Sequence, residues 1–370
     1  MSAPRVLLTT AASQRGGAEQ VVLEFLNRLD RARIEPMAAA LAGGPLAEEL
    51  RGAATMLDAG TLTRMRVAGR VLRVVNRLTA EIRRTGVSIV HNHGTMAHLV
   101  GGLAAWRAGV PAIHHVQDIY TGMPSVEGAL QRCALRMPAE SIVAASHAVY
   151  LRLIELGALR SRVTTIHNGV SLVPVAPAFT QDDPAVVWSG RLQHWKGAHL
   201  FLEAARLVKD AHPSARFWIV GGTLFDMEPE YAGELRARAD ALGLQGAVTF
   251  TGHVPDARPY LASADVVVHC SVRPEPFGLV VAEAMAQGRA VVAFDAGGPG
   301  EMIESGVSGR LVAPDDTEAL ASAVSDLLTR PDFRTRMGEA ARRRARRFSV
   351  ATMVQRMHEV YDAVLASRRA

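Results

Sequence analysis

The sequence predicts an α/β protein with two doubly wound, Rossmann-like domains that face a cleft. Its 370 residues exceed the roughly 250–300 at which a single hydrophobic core stops growing. Short apolar runs alternate with stretches of helical spacing, which is typical of parallel sheets covered by helices. The strand series also restarts after a proline-rich stretch at residues 173–184, which we take as the linker.

The first domain is expected over residues 1–177. An apolar run at 6–10 predicts its first strand, and a Gly-containing turn leads into a helix over 18–29. Further strands are expected at 37–41, 88–91, 112–116 and 141–144.

The second domain is expected over residues 178–349, and residues 350–370 form a final helix. Its strands are expected at 185–189, 216–220, 247–251, 266–269 and 290–294. Open parallel sheets bind ligands beyond the carboxyl ends of their strands, so a site in the cleft between the domains is expected.

Composition excludes several classes of protein. The 49% hydrophobic content excludes a disordered chain, and the 32 Gly and 18 Pro exclude a fibrous one. Two cysteines, Cys133 and Cys270, cannot make a disulfide framework or a structural zinc site. With no targeting segment and no long apolar run, we expect a cytoplasmic protein that meets a membrane only at its surface.

The densest chemical signal lies at residues 271–283. Glu275 is placed in a strand-to-helix loop, and Glu283 lies further along the helix that opens near Gly278. The unpaired N–H groups of a helix start favour an anion, and a carboxylate beside them can accept hydrogen bonds from sugar hydroxyls. Alternatively Glu275 caps the helix and Glu283 faces water, but a plain cap does not require the constrained Pro276-Phe277-Gly278 turn.

A second signal is a loop with two cations. Arg191 and Lys196 stand five residues apart in a Gly-flanked loop after a predicted strand. Such a pair suits a diphosphate, because a guanidinium can bind two oxygens at once. An ordinary solvated loop is the alternative.

Glycine loops follow other predicted strands. Paired glycines let a backbone approach a ligand closely, although a tight turn without a ligand explains them too. These loops contain Gly16-Gly17, Gly221-Gly222, Gly252-His253-Val254 and Gly297-Gly298. None is a G-x-G-x-x-G dinucleotide fingerprint.

Together these segments resemble the retaining glycosyltransferases of family 4, which have the two-domain B-type fold. The most specific element is Arg191 and Lys196 followed by Glu275 and Glu283 with Phe277-Gly278 between them. Nearly the whole chain takes part in the resemblance. It implies that the last helix crosses back onto the first domain.

The resemblance also implies residue roles. Arg191 and Lys196 would neutralise the diphosphate, Glu275 would contact sugar hydroxyls and Glu283 would hold the ribose. The remaining donor contacts would come from Gly16, Gly17, Gly221, His253, Val254, Phe277, Gly278 and Leu279, with the base near His253 and Val254.

The first domain departs from the family pattern at one place. Many members carry a His-Asp pair at a strand end, with the His reaching the transferred sugar, and here Gln117 stands in the His position before Asp118. His115 shares its strand face with Gln117 and is the candidate catalytic replacement, although a one-residue slip would turn His114 inward instead. A buried structural histidine is the alternative for both. His93 is also expected on the acceptor side, and His98 is interpreted as structural.

The implied activity is retaining, metal-independent transfer of a sugar from a nucleotide-diphosphate sugar to an acceptor. No Asp-x-Asp pair stands in a plausible strand-end loop, so neither a metal clamp nor another cofactor is expected. A nucleotide-sugar 2-epimerase or a sugar phosphorylase would keep the fold and change the reaction. A non-catalytic sugar-nucleotide binding protein is the alternative from another class, and Gln117 is the residue that favours it.

Charge is uneven along the chain. Residues 1–177 hold 19 basic and 12 acidic side chains, net +7, whereas residues 178–370 hold 22 and 24, net −2. A predicted amphipathic helix over 64–84 lines one face with Arg66, Arg70, Arg73, Arg77 and Arg84. These arginines either face water or bind the headgroups of an anionic membrane surface or a phosphorylated lipid acceptor. The acceptor of the implied reaction is expected to be a glycan or a lipid-linked molecule. A second arginine run at 342–347 lacks interleaved aromatics, so no nucleic-acid partner is expected.

Overall fold

The computed structural model describes residues 3–14, 16–62, 68–122, 124–223 and 227–368. The chain divides into a first unit, Met1–Gly169 with Val350–Ala370, and a second unit, Val170–Ser349. Each unit is built on one parallel β-sheet with intervening helices, which confirms the predicted class of two Rossmann-like domains.

The described part of the first unit has a seven-stranded sheet in the order β3-β2-β1-β4-β5-β6-β7. Its strands are β1 (Arg5–Thr10), β2 (Glu35–Ala40), β3 (Thr55–Met56), β4 (Ile89–His93), β5 (Ala112–Val116), β6 (Ser141–Ala144) and β7 (Val163–Thr165). Its helices before the second unit are α1 (Gly17–Arg28), α2 (Pro45–Ala53), α3 (Ala68–Thr85), α4 (Thr95–Ala108), α5 (Val126–Leu135) and α6 (His147–Glu155).

The second unit has, within the described residues, a six-stranded sheet in the order β10-β9-β8-β11-β12-β13. Its strands are β8 (Ala185–Ser189), β9 (Arg216–Val220), β10 (Val248–Gly252), β11 (Val266–His269), β12 (Ala290–Phe294) and β13 (Arg310–Val312). Its helices are α7 (Ala198–Ala211), α8 (Tyr231–Ala241), α9 (Arg258–Ser263), α10 (Leu279–Ala286), α11 (Gly298–Met302), α12 (Thr317–Thr329) and α13 (Pro331–Ala345). Short 3₁₀ turns occur at His194–Lys196 and Arg346–Phe348 in this unit and at Arg160–Arg162 in the first unit.

The last helix, α14 (Val350–Ser367), belongs to the first unit. It packs against α1, where the ring of Tyr361 meets that of Phe25 with centroids 6.5 Å apart. The Tyr361 hydroxyl is 2.7 Å from Nδ1 of His91, and Asp362 forms an ion pair with Arg33 at 2.7 Å. Apolar packing and these polar contacts together fix the helix to the first unit, through α1, strand β4 and Arg33.

Strand prediction was accurate where strands are buried. The central strands β8, β11 and β12 are buried at every residue, as expected for parallel strands covered on both faces, and they match their predicted bounds. Strands β3, β7 and β13 were not predicted; they stand at sheet edges and have two or three residues each. Such short segments are too brief to show an alternating pattern.

The boundary between the units lies before the predicted position at 177. Val170 already belongs to the second unit, because its N–H donates to the carbonyl of Phe348 at 2.9 Å. The N–H of Val175 donates to Gln287 at 3.1 Å, and Phe179 stacks on Trp218 at 4.2 Å. The proline-rich stretch is therefore packed on the second unit and is not a free linker.

Strand order brings two loops of the second unit together. The chain builds the sheet outward from β8 through β9 to β10, then returns to place β11 on the other side of β8. At such a reversal the connections after the two central strands run to opposite faces and leave a crevice at their carboxyl ends. The loops after β8 and β11 carry Lys196 and Glu275.

Gly197 anchors the loop after β8 to strand β11. Its φ is +76°, and a Cβ placed there would lie 1.9 Å from the carbonyl oxygen of Cys270. The carbonyl of Gly197 in turn accepts from Sγ of Cys270 at 3.1 Å. Cys270 is buried, which raises the pKa of its thiol, whereas Cys133 on α5 is exposed. Only glycine allows this close approach next to Lys196.

Gly197→Ala is expected to lower the free energy of unfolding of the second unit by more than the cost of placing an alanine in a left-handed backbone conformation. That backbone costs an alanine about 1–2 kcal/mol, and displacement of the Cys270 carbonyl adds to it. Urea unfolding followed by tryptophan fluorescence measures the effect, because Trp188, Trp195 and Trp218 all lie in this unit.

Gly243→Ala is the matched control. Gly243 has φ +68°, and a Cβ there meets nothing within 4 Å. An equal loss of stability in the two variants would show that the contact with Cys270 is unimportant.

Candidate active site

A buried ion pair lies at the crevice of the second unit. Nζ of Lys196 is 2.7 Å from Oε1 and 2.8 Å from Oε2 of Glu275. The hydroxyl of Ser271 donates to Oε2 at 2.9 Å, and Nε2 of His269 lies 3.3 Å from the same oxygen. Glu275 is 6% exposed. A carboxylate this deep requires such partners, because an uncompensated buried charge is strongly unfavourable.

These contacts determine the charge states of the pair. Burial alone would raise the pKa of Glu275, but the Lys196 ammonium and the His269 contact outweigh it and hold that pKa well below its usual range. Burial lowers the pKa of Lys196, and the Glu275 charge opposes the shift. We therefore assign a charged carboxylate and a charged ammonium at neutral pH.

The backbone of the Glu275 loop is held by the loop after β12. The N–H of Glu275 donates to Ala296 at 3.1 Å, and the N–H of Gly298 donates to the carbonyl of Glu275 at 2.9 Å. A Cβ on Gly298 would lie 2.0 Å from the carbonyl oxygen of Phe277, so the Gly297-Gly298 pair allows this close packing. Three strand-end loops thus position one carboxylate.

Helix α10 begins directly beyond this carboxylate. Gly278 precedes it with φ +92°, and Phe277 is buried in the core. The N–H of Val281 donates to the carbonyl of Gly278 at 3.0 Å. The amides that precede it, beginning with Leu279, lie at the positive end of the helix dipole. Glu283 lies four residues after Leu279 on the same helical face and is half-buried.

Arg191 lies in the Lys196 loop and is half-buried. Its charge is close enough to contribute to the lowered pKa of Lys196. It forms no ion pair with any residue that the structure describes. The two cations thus share one loop, and Lys196 alone contacts the carboxylate.

A cavity of about 220 Å³ opens beside these loops in the same unit. It is lined by Leu192, Gly221, Gly222, Thr223, Ala232, Arg236, Phe250, Gly252 and His253. A Cβ on Gly221 would lie 2.0 Å from the carbonyl oxygen of Gly190, which explains the glycine there. Val254 is not among the lining residues and packs instead against the core.

Sequence reasoning missed three side chains of this region. His269 and Ser271 both contact Oε2 of Glu275. They stand two residues apart at and just after the end of β11, and in an extended chain this spacing places two side chains on the same face, which could have indicated them. Arg236 lies on α8 and holds its guanidinium 4.7 Å from the centre of the Phe250 ring at the cavity. No local motif marks a helical arginine of this kind.

The predicted catalytic and acceptor-side residues of the first unit lie on β4, on β5 and directly after β5. His93 and His115 are neighbours in register on β4 and β5, and Gln117 lies 3.1 Å from Nδ1 of His93. All three are buried, whereas Asp118 is exposed. His114 instead contacts Asn92 at 3.2 Å, so His115 is the histidine on the side of Gln117.

Two other predicted positions in this unit have structural surroundings. The ring nitrogens of His98 contact Tyr120 and the carbonyl of His115, each at 3.1 Å. Gly16 and Gly17 lie at the start of α1, where the N–H of Gly16 donates to the Glu19 carboxylate at 3.0 Å.

Arg66 lies outside the described residues, but the rest of the predicted arginine face is on α3. Val74, Leu78 and Ile82 bury the opposite stripe of that helix. Arg77 pairs with Asp58, and Arg84 pairs with Glu81 at 2.8 Å. None of the described helices is long and apolar enough to cross a bilayer.

The chain is similar to known glycosyltransferase families over both units. The family described as Glycosyltransferase Family 4 matches residues 15–173, and the family described as Glycosyl transferases group 1 matches residues 174–344. The chain is 31% identical over 326 residues to a D-inositol 3-phosphate glycosyltransferase of Streptomyces griseus, covering 76% of this chain and 68% of that one. It is 32% identical over 220 residues to the lipopolysaccharide core biosynthesis mannosyltransferase LpcC of Rhizobium leguminosarum, covering 56% and 61%.

Solved structures show the same fold. Anabaena HepE in complex with UDP and glucose superposes with a TM-score of 0.86 at 25% identity, covering 97% of this chain and 100% of that one. HepE has also been solved in complex with UDP-glucose.

Glu275→Gln is expected to lower the free energy of unfolding at pH 7 by about 3–5 kcal/mol, because Lys196 would remain charged and buried without its partner. The depressed pKa of Glu275 gives the wild type stability that is present above the unfolded-state pKa of about 4.3 and is lost as pH falls below it. The difference between wild type and variant should therefore shrink below about pH 4. Urea unfolding across this pH range measures it.

Glu304→Gln provides the control. Its carboxylate is 60% exposed and lies 3.6 Å from Arg344, so we expect a change below about 1 kcal/mol at any pH. A pH-independent difference for Glu275→Gln would contradict the assigned charge state.

Proposed function

The chain belongs to family 4 of the glycosyltransferases, and we propose that it transfers a sugar from a nucleotide-diphosphate sugar with retention of configuration. The observation that carries the proposal is the buried Lys196–Glu275 pair beside Arg191 and the start of α10. Cations and helix amides suit the diphosphate, and a fixed carboxylate suits sugar hydroxyls.

In the Lys196–Glu275 pair, we assign one N–H of Lys196 and one oxygen of Glu275 to the nucleotide-sugar donor. Lys196 has three N–H donors and directs two at Glu275, and its Nζ also lies 4.1 Å from the centre of the Trp195 ring. We assign the third donor to a phosphate oxygen. Oε2 of Glu275 is surrounded by Lys196, Ser271 and His269, whereas Oε1 accepts from Lys196 alone among the described residues. We therefore assign Oε1 to a sugar hydroxyl.

The proposed reaction breaks the bond between the anomeric carbon and the β-phosphate oxygen. Arg191, Lys196 and the amides of Phe277, Gly278 and Leu279 would stabilise the negative charge that grows on the diphosphate. The sugar passes through an oxocarbenium-like state. The acceptor oxygen attacks from the face of the leaving group, and its proton passes to the departing phosphate. The cations perform the role of a metal clamp in this scheme, so we propose metal-independent catalysis.

We place the base in the cavity beside Gly221, Gly222 and His253. The complexes of HepE with UDP and with UDP-glucose support a nucleotide site in this fold. Arg236 and Phe250 offer a charged and an aromatic surface there. Glu283 would hold the ribose, and Val254 would contribute through its backbone, since its side chain packs on the core.

The acceptor is proposed to be a glycan or a lipid-linked molecule. The name of the relative in lipopolysaccharide core biosynthesis supports this class, whereas the inositol 3-phosphate glycosyltransferase is named for a small phosphorylated molecule. His93, Gln117 and Asp118 remain predictions for acceptor-side contacts. His115 remains a predicted catalytic residue that contacts the transferred sugar, and Gly16 and Gly17 remain predictions for the donor. Neither an epimerase nor a non-catalytic binding protein is favoured, because the matched relatives are transferases.

Arg191→Gln is expected to lower kcat/KM with UDP-glucose, or with whichever nucleotide sugar the wild type uses, by about 10²-fold. Removing one charge that stabilises the leaving group acts mainly in the transition state. The unfolding midpoint should stay unchanged, because Arg191 does not contact Glu275. Initial rates of transfer or of slow donor hydrolysis measure the effect.

Arg206→Gln is the control, an exposed arginine of α7 paired with Asp210. It should leave kcat/KM unchanged. Wild-type rates in Arg191→Gln would show that Arg191 does not serve the diphosphate.

We also propose that α3 lies against an anionic membrane surface. Arg70 and Arg73 are exposed on this helix, Leu72 beside them is 47% exposed, and Trp106 on the neighbouring α4 is 62% exposed. Exposed ion pairs such as Arg77–Asp58 contribute little, so these arginines can exchange partners for lipid headgroups.

Arg70→Glu with Arg73→Glu should weaken sedimentation with anionic vesicles at least about tenfold, since each basic residue near such a surface contributes about 1 kcal/mol. Arg342→Glu with Arg343→Glu on α13 makes the same charge change outside α3 and serves as the control. Equal sedimentation of the wild type with anionic and neutral vesicles at low salt would exclude the proposal.

A further inference from the structure

Three histidines converge inside the first unit. His91 and His93 lie two residues apart on β4, so their side chains leave the same face of the sheet. His93 pairs in register with His115 on β5, and nitrogen atoms of the three rings all lie within 4.8 Å of one another. All three side chains are buried. We call this group the histidine trio.

The trio presents ring nitrogens without hydrogen bonds. Nε2 of His91, Nε2 of His93 and both ring nitrogens of His115 have no partner within the described part of the chain. Buried polar atoms are nearly always hydrogen-bonded, so four such nitrogens from three converging rings need an explanation. Lone pairs directed at one point are what a metal ion binds.

The outer nitrogens of two rings do have partners. Nδ1 of His91 is 2.7 Å from the hydroxyl of Tyr361, and Nδ1 of His93 is 3.1 Å from Nε2 of Gln117. Metal-binding histidines generally hold their second nitrogen in such a contact, which fixes the ring. Oε1 of Gln117 has no partner among the described residues, and a half-turn of that amide would let it accept from Nδ1 of His93. The lone pair of His93 would then lie on Nε2.

We propose that His91, His93 and His115 form a binding site for one divalent transition-metal ion, of which Zn²⁺ is the type. Imidazole nitrogen suits Zn²⁺, Co²⁺, Ni²⁺ and Cu²⁺. The trio consists of histidines and contains no carboxylate, the ligand that harder ions such as Mg²⁺ and Ca²⁺ prefer. Zinc–nitrogen bonds of about 2.0–2.1 Å place ligand nitrogens about 3.3 Å apart, so small side-chain rotations would close the site.

The ion would join β4 to β5 and, through Tyr361, to the last helix. The cysteine count excluded a cysteine-based zinc site, but it does not bear on histidine ligands. The proposed ion takes no part in binding the diphosphate, which we assign to Arg191 and Lys196 without a metal. His93 and His115 would then be metal ligands, in place of the acceptor-side contact predicted for His93 and the sugar contact predicted for His115.

The first test uses the untagged full-length chain, treated with a chelator and dialysed. Added Co²⁺ should bind at one equivalent per chain with the visible absorption of a low-coordinate site, and Zn²⁺ should displace it. The thermal midpoint should rise with Zn²⁺ concentration, because the ion binds the folded state. Less than one-tenth equivalent of bound Co²⁺ or Zn²⁺ would overturn the proposal.

The second test compares variants. His115→Asn should weaken Co²⁺ binding at least about 100-fold, and Gln117→Leu should weaken it by about 10–100-fold. His114→Asn is the matched control, a buried neighbour that contacts Asn92 on the other face, and it should bind Co²⁺ as the wild type does. Equal affinity in the wild type and His115→Asn would overturn the proposal.

Circular dichroism shows whether each variant folds. If His115→Asn does not, Cu²⁺ electron paramagnetic resonance of the wild type decides the question. Hyperfine splitting from three imidazole nitrogens would support the site, and splitting from fewer would overturn it.

Discussion

The second unit depends on one electrostatic constraint: the carboxylate of Glu275 is buried and must keep its cation. Lys196 contacts both oxygens from a loop that follows another strand, so the two loops must stay together. The glycines around them follow from the same requirement, since Gly197 and Gly298 allow backbone approaches that any side chain would block. The geometry proposed for sugar transfer is thus also the geometry that keeps a buried charge compensated.

The first unit handles buried titratable groups in the opposite way. The rings of its histidine trio lie close together, and burial lowers the pKa of each ring and favours its neutral form. A paired charge requires its partner at all times. A neutral imidazole keeps a lone pair that can bind a ligand. The two sheets therefore share a topology and differ in the chemistry that their buried polar groups allow.

Much of the fold was visible in the sequence, because a parallel strand covered on both faces is a continuous apolar run. The edge strands β3, β7 and β13 were too short to leave a pattern. Arg191, Lys196, Glu275 and Glu283 were singled out by the strand-end loops and the helix start in which they stand, and their roles were implied by the family resemblance. The pairing of Lys196 with Glu275 was not, because it depends on β11 returning to the side of β8 across 79 residues. Arg236 was missed because its position comes from helix packing, which no local motif encodes.

The close packing of Gly197 on Cys270 has a practical consequence. Thiol reagents attack the thiolate, and Cys270 is both inaccessible and held in its thiol form by a raised pKa. Cys133 is exposed on α5, and the chain contains no other cysteine. The native protein therefore offers a single attachment point for a fluorophore or spin label. That point lies in the first unit, and no residue of the Lys196–Glu275 region has to be changed to use it.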